Sequence, residues 1–250
     1  MKRLALLGIV AAALAAAVPA RGEGLTLTGE TGVGRSPQAL ALKPMSVAVA
    51  ADYVASEDIF LPLRAEFGLI EGLEVGINYW FMDTTDNATQ WGLNAKYVLP
   101  AELLEIVENL SLAGGIRYQS QSHDGGYDAT YTNVYLVATY VLEQRITVIP
   151  SLGFTYEIQG IDKDESGVRI FGSLLANVMP NLAIGAEFIL ANEDLDGDDA
   201  DSSLWFGARF SPKENLTLQA GVLNNANVGG NDTADYCLHL GAQYSFSIAR

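Results

Sequence analysis

The sequence predicts an all-β protein: a closed antiparallel transmembrane β-barrel, most simply of 12 strands, within a range of roughly 10–14. Three observations carry the prediction. Apolar residues recur with period two along much of the chain, the mark of strands with two unlike faces. The connections between these segments alternate between short and long. An export-type N-terminus also precedes a chain with no later charge-free run long enough for a transmembrane helix.

The N-terminus comes first. Lys2 and Arg3 form a basic n-region, Leu4 to Val18 an apolar, Ala-rich h-region, and Val18-Pro19-Ala20 supplies small residues for cleavage. Residues 1–20 are therefore expected to be a Sec-type signal peptide. The domain plan that follows is 21–43, an N-terminal periplasmic or lumenal segment, and 44–250, the barrel. Without Lys2 and Arg3, 12 basic residues face 30 acidic ones. That balance excludes a basic footprint for nucleic acid. Cys237 is the only cysteine, so no intramolecular disulfide framework exists.

From Pro44 onward the period is two. In Leu63–Leu69 one face carries Leu63, Ala65, Phe67 and Leu69, and the other Arg64, Glu66 and Gly68. After Glu71-Gly72 the pattern resumes with Leu73, Val75, Ile77 and Tyr79, and again with Trp91, Leu93, Ala95 and Tyr97. Segments of this kind run over 45–54, 62–70, 73–82, 89–99, 110–119, 130–142, 146–156, 168–178, 182–190, 204–210, 216–223 and 236–246. Short connections are expected at Glu71-Gly72, Glu143–Arg145, Met179–Asn181 and Ser211–Asn215. Longer polar loops are expected at 83–88, 120–129, 157–167, 191–203 and 224–235. Pro100–Asn109 departs from the alternation, and Leu103, Leu104, Ile106 and Val107 suggest a short amphipathic helix there.

Closure follows from the solvent. In lipid every backbone N–H and C=O must pair within the chain, and only a closed sheet has no edge. The apolar face carries Phe67, Tyr79, Trp91, Tyr97, Tyr118, Tyr140, Phe154, Tyr156, Phe188, Phe206, Phe210, Tyr236, Tyr244 and Phe246. Rings near strand ends are expected to form two interfacial girdles. A soluble β-sandwich or lipocalin-like barrel, with its apolar face inward, would share the alternation. Its polar face would carry a dense Lys/Glu coat, which this chain lacks.

The last strand, Tyr236-Cys-Leu-His-Leu-Gly-Ala-Gln-Tyr-Ser-Phe246, resembles the C-terminal signature of bacterial outer-membrane porin-like barrels. In those families alternating apolar residues end in an aromatic read by the barrel assembly machinery. The chain departs from them by adding Ser247-Ile248-Ala249-Arg250. Thr31-Gly-Val-Gly-Arg-Ser-Pro-Gln-Ala39 is similar to the Gly-rich entry segment of several such barrels. The resemblance implies a bacterial outer-membrane location, with lipid, lipopolysaccharide and the assembly machinery as partners. It leaves the oligomeric state open.

The second face is expected to line the lumen. It receives Asp52, Arg64, Glu66, Glu74, Lys96, Arg117, Arg169, Glu187 and Arg209, so five of the 14 basic residues are placed inside. Charged rings are one way in which pores select solutes. The same residues pairing across strands would instead hold a filled, non-conducting barrel. Inward glycines (68, 76, 92, 115, 153, 185, 207, 221 and 241) imply either open space or bulky neighbours leaning over them, with Tyr131 and Tyr135 as candidates. Segment 21–43 fits a partial plug, and its Leu25-Thr26-Leu27-Thr28 alternation equally fits an extra strand.

Catalysis is not expected. The two histidines are His123, placed in an outer loop, and His239, facing the lumen, and neither has an evident nucleophile at a useful spacing. His239 and Cys237 together are too few for a zinc site. Asn192–Ser203 begins like a calcium loop, but Ser203 stands where a bidentate Glu is required. No cofactor is expected; loose Ca²⁺ or Mg²⁺ binding at Asp194, Asp196 and Asp198 is the remaining metal expectation. Two functional classes follow: a porin-like channel or transporter for small solutes, anionic ones among them, or a closed structural or surface-interaction barrel whose acidic loops meet divalent ions or envelope partners.

Overall fold

A computed structural model describes residues 24–55, 59–83, 88–100, 107–123, 128–160, 164–192, 195, 202–224 and 236–248. Twelve long strands form one antiparallel wall: β3 (Ser46–Ala55), β4 (Ile59–Ile70), β5 (Leu73–Asp83), β6 (Ala88–Val98), β7 (Leu110–His123), β8 (Asp128–Tyr140), β10 (Thr147–Gly160), β11 (Asp164–Met179), β12 (Leu182–Ile189), β13 (Ser203–Lys213), β14 (Leu216–Asn224) and β15 (Cys237–Ser247). A two-residue strand, β9 (Leu142–Glu143), extends β8 against Thr147 and Val148. Each strand pairs with its chain neighbour. β15 then pairs with β3 from Leu238↔Ala55 to Ser247↔Ser46, and the wall closes. The twelve-stranded all-β barrel read from the alternation is the observed fold.

The pleat sorts side chains as lipid demands. Leu93, Ile116, Leu136, Leu152, Ile170, Leu204 and Leu240 are exposed on the outer surface, while their strand neighbours are buried or half-buried. Most of the expected girdle rings are exposed too, from Phe67 to Tyr236. Tyr140 and Phe246 are half-buried. Tyr244 is buried, and its hydroxyl accepts a hydrogen bond from Asn215 Nδ2 at 2.7 Å.

Two of the short turns are tighter than the sequence suggests. β11 runs to Met179 and β13 to Lys213, so 180–181 and 214–215 are two-residue turns like 71–72. Beside each turn the register shifts, between Gly68/Ile70, Asn177/Met179 and Phe210/Lys213. Such bulges add local twist and let a very short link join neighbouring strands. Gly72 takes φ +77°, which a side chain there rarely adopts.

At the other rim two expected loops are largely strand. Glu157–Gly160 pairs with Asp164–Gly167, and Ser120–Ser122 with Asp128–Thr130. His123 closes β7 and is paired in register with Ala88, so it is a strand residue and not a loop residue. The helix expected within Pro100–Asn109 falls mainly on 101–106, outside the described residues, as does the signal peptide at 1–20. Asp194, Asp196 and Asp198 also lie outside them. Nearby, Asn192 Nδ2 donates to the Val168 carbonyl at 2.9 Å, and Leu195 is buried.

Residues 24–43 do not join the wall. β1 (Gly32–Val33) and β2 (Ser36–Pro37) pair with each other in a sheet of their own, with one further bridge, Leu25↔Thr31. This compact hairpin sits inside the barrel, and most of its residues are buried.

Candidate functional site

The lumen is built from the inward face of the wall and from this hairpin. Asp52, Arg64, Glu66, Glu74, Lys96, Glu187 and Arg209 are buried inside. Arg117 and Arg169 keep slightly exposed side chains. The hairpin rises from the short-turn mouth, where Leu25 N–H donates to Gln243 Oε1 at 2.7 Å. Its tip lies at the long-loop half. There the Arg35 and Ser36 amides donate to Glu187 Oε2 at 2.7 and 2.5 Å. Two successive amides converging on one carboxylate oxygen form a small anion nest. Gly34, at φ +52°, brings the turn so close to Glu187 that a Cβ would lie 2.7 Å from Oε2.

Glu74 anchors the middle of the hairpin. Its Oε1 accepts from Thr31 N–H at 2.9 Å, and its Oε2 from the Thr31 hydroxyl at 2.8 Å and Leu42 N–H at 3.0 Å. Lys96 Nζ lies 2.7 Å from Glu74 Oε1 and donates to the carbonyls of Thr31 and Gln38 at 3.0 and 3.1 Å. An ammonium has three protons, and here all three are placed.

The cations serve the hairpin backbone as well. Arg64 donates to the Leu25 and Thr26 carbonyls, and Arg209 to the Gly32 carbonyl. Arg117 Nε donates to Glu30 Oε1, while its Cζ lies 4.9 Å from the Tyr135 ring centroid, a cation–π contact. Glu66 accepts from Asn94 Nδ2 at 3.2 Å. Arg169 faces Glu157 at 3.5 Å.

A second buried network closes around Asp52. Arg64 Nη2 pairs with Asp52 Oδ2, and His239 Nε2 and Gln219 Nε2 reach Asp52 Oδ1 at 2.7 and 2.5 Å. Trp205 Nε1–H donates to His239 Nδ1 at 3.1 Å. An indole N–H only donates, so the imidazole proton sits on Nε2 and points at Asp52. Both ring nitrogens are therefore occupied by structural partners, and neither is presented to a nucleophile. Among the described residues no group of three or more His, Cys, Asp and Glu is placed to hold a metal ion.

Inward glycines make room for rings. A Cβ on Gly115 would meet Tyr135 at 2.3 Å, on Gly153 Phe171 at 2.4 Å, and on Gly207 or Gly221 Trp205 at 2.5 or 2.8 Å. Trp205, Trp80 and Phe171 are thus inward aromatics in a chain whose rings mostly face out. The barrel is not packed solid. A cavity of about 910 Å³ remains at the short-turn end, between the hairpin (Gly24, Thr31, Gln38, Leu40) and the β10–β14 wall. Arg145, Arg209 and Lys213 lie on it with Glu214.

A polar lumen inside a twelve-stranded wall with an apolar exterior decides the architecture. The fold is that of a bacterial outer-membrane porin. Solved structures of the KdgM porin match it with a TM-score of 0.60 at 14% identity, covering 80% of this chain and 99% of that one. The KdgM porin in complex with disordered oligogalacturonate matches at 0.58 and 14%, with the same coverage. The NanC porin matches at 0.55 and 12%, over 79% and 98% of the two chains. No family model and no curated protein matches the sequence.

Within this porin fold, Glu30, Gln219, Trp205 and Asn133 are lumen residues that the alternation did not single out. The inner face was read from charged residues, glycines, His239, Tyr131 and Tyr135, and three of these four are neutral residues of other kinds. Glu30 is charged but belongs to a segment with no strand register to place it. Burial raises the Glu30 pKa, but the Arg117 charge and hydrogen bond, its own amide and the Thr28 hydroxyl outweigh this. The carboxyl is held below its ordinary value of 4.5. Arg64, Glu66 and Tyr135 also face it electrostatically. With the docked pKa lowered, Glu30 contributes fully to docking above pH 4.5, and that contribution is lost as pH falls through the docked pKa. The part of the acid-side rise in hydrogen exchange of the hairpin amides, corrected for intrinsic rates, that lies below pH 4.5 is expected to be smaller in Glu30→Gln than in the intact protein.

Proposed function

We propose that the protein is a porin-like channel of the bacterial outer membrane whose lumen is partly occupied by its own N-terminal hairpin, and that it passes small solutes. The observation that carries this is the cavity beside the hairpin. A barrel built only as a scaffold has no need of about 910 Å³ of space at one mouth, lined by polar and apolar residues alike. Its cations, with Arg117 and Arg169 deeper in, favour anionic solutes, since charged rings bias which ions enter a pore. The oligogalacturonate in the KdgM complex is an anion held by a barrel of this fold, which is consistent with that bias. The export-type N-terminus and the final strand ending at Phe246 support delivery to the outer membrane by the assembly machinery. Lipopolysaccharide would then face the outer surface.

A second reading, a closed structural barrel, draws on the many bonds between hairpin and wall. Planar-bilayer recording separates the two. The intact protein is expected to give small steps, and a variant lacking residues 24–43 larger, steadier ones. Silence from both folded barrels would leave the structural reading standing and end the channel reading.

A further inference from the structure

We propose that Arg117 is a carboxylate-binding site which the chain's own Glu30 fills, so that a carboxylate-bearing solute opens the lumen by taking Glu30's place. The inference rests on the channel reading and adds a gate to it.

Glu30 is a hairpin side chain doing what a bound solute would do. Its carboxylate is fully buried against Arg117 Nε and accepts from the Thr26 and Thr28 hydroxyls at 3.1 and 2.8 Å. The Arg117 side chain keeps 12% exposure, and its guanidinium is braced by the Tyr135 ring. It stands near mid-height in β7. Its surroundings are polar and built of neighbours in register: Asn133 pairs with Arg117, and Thr155 with both Tyr135 and Arg169. Asn133 Oδ1, Tyr135 Oη and Thr155 Oγ1 are buried and make no hydrogen bond among the described residues. Three such atoms beside a carboxylate-holding arginine suit a polar solute bearing a carboxylate.

Exchange is the route that avoids leaving a buried charge alone. Removing Glu30 from Arg117 without replacement strands the guanidinium, whereas one carboxylate replacing another keeps it paired throughout. The hairpin's remaining anchors include Glu74 and Glu187, which hold its amides, and Lys96, Arg64 and Arg209, which hold its carbonyls. Losing the Glu30 contact therefore loosens one anchor among several. The tether works against the solute, because a linked carboxylate competes at an effective concentration in the millimolar range.

The probes are propionate, which reproduces the Glu side chain, and its uncharged amide propionamide. Two readouts are taken on the full chain in lipid: hydrogen exchange of peptides covering 24–43, and bilayer conductance. Propionate, and not propionamide, is expected to raise exchange of the hairpin amides. In Glu30→Gln the half-effect should move to a concentration at least about tenfold lower, since the tethered competitor is gone. In the double variant Glu30→Gln/Arg117→Gln, which strands neither charge, the response should vanish while heat-modifiable migration persists.

Equal responses to acid and amide, or a propionate response surviving in the double variant, would overturn the gate. So would an exchange rate in the intact protein that propionate leaves unchanged. Conductance then reports separately on the channel. A hairpin released by propionate in a silent barrel supports the Arg117 exchange and refutes the channel reading. A conducting barrel with an unresponsive hairpin does the reverse.

Discussion

Replacing Lys96 with methionine is expected to destabilise the folded barrel by about 3–5 kcal/mol, because it removes one partner of a buried ion pair. The ammonium is buried with no side-chain exposure, and its three protons go to Glu74, the Thr31 carbonyl and the Gln38 carbonyl. Methionine fills the volume and supplies none of these bonds. Glu74 would still accept from Thr31 and Leu42, but as a buried anion without its countercharge. Two hairpin carbonyls would lose their donor at the same time. The pair variant Lys96→Met/Glu74→Gln should recover a large part of the loss, since it strands no charge. A double-mutant cycle on urea unfolding in lipid would show the coupling. Strict additivity of the two single effects would mean that the pair is not the unit described here.

Asp52→Ala is expected to cost a similar amount, again about 3–5 kcal/mol, for a different arrangement. Asp52 is one acceptor shared by three donors on three strands: Arg64, Gln219 and His239. Its removal leaves Arg64 with hairpin carbonyls only, and His239 with Trp205 and a longer contact to Gln219 Nε2 at 3.4 Å. The effect should also appear at the seam, because Asp52 is on β3 and His239 on β15, the strands that close the wall. Asp52→Asn should lose less, as an amide oxygen still accepts from one of the donors. The temperature at which the heat-modifiable band converts would read both variants. An Asp52→Ala barrel converting at the wild-type temperature would show that the network is dispensable.

The wall was legible in the sequence because lipid imposes a simple code. Wherever a strand touches lipid, alternate residues must be apolar, and the twelve stretches with that alternation are the twelve long strands. The same logic explains where the reading stopped short. Ser120–His123, Glu157–Gly160 and Asp164–Gly167 continue their hairpins with mostly polar residues on both faces. Backbone pairing persists there while the apolar signal ends, so polar strand reads as loop. The inward aromatics were hidden for another reason. Trp205 lies over Gly207 and Gly221, a relation across strands that needs the register to be seen.

Residues 24–43 mark the clearest division. Leu25-Thr26-Leu27-Thr28 has the alternation of a wall strand, and local pattern alone does not reject that role. It is rejected by closure: β15 already pairs with β3 along its length, so no edge remains for another strand to join. The chain pairs with itself instead and binds its backbone to the lumen carboxylates and cations. The sequence by itself determined a twelve-stranded barrel and its two faces, because period two and a lipid exterior leave little choice. Only the tertiary structure decided what the inner charges hold, since Glu30 meets Arg117, and Thr31 meets Glu74, across contacts that exist once the wall has closed around the hairpin.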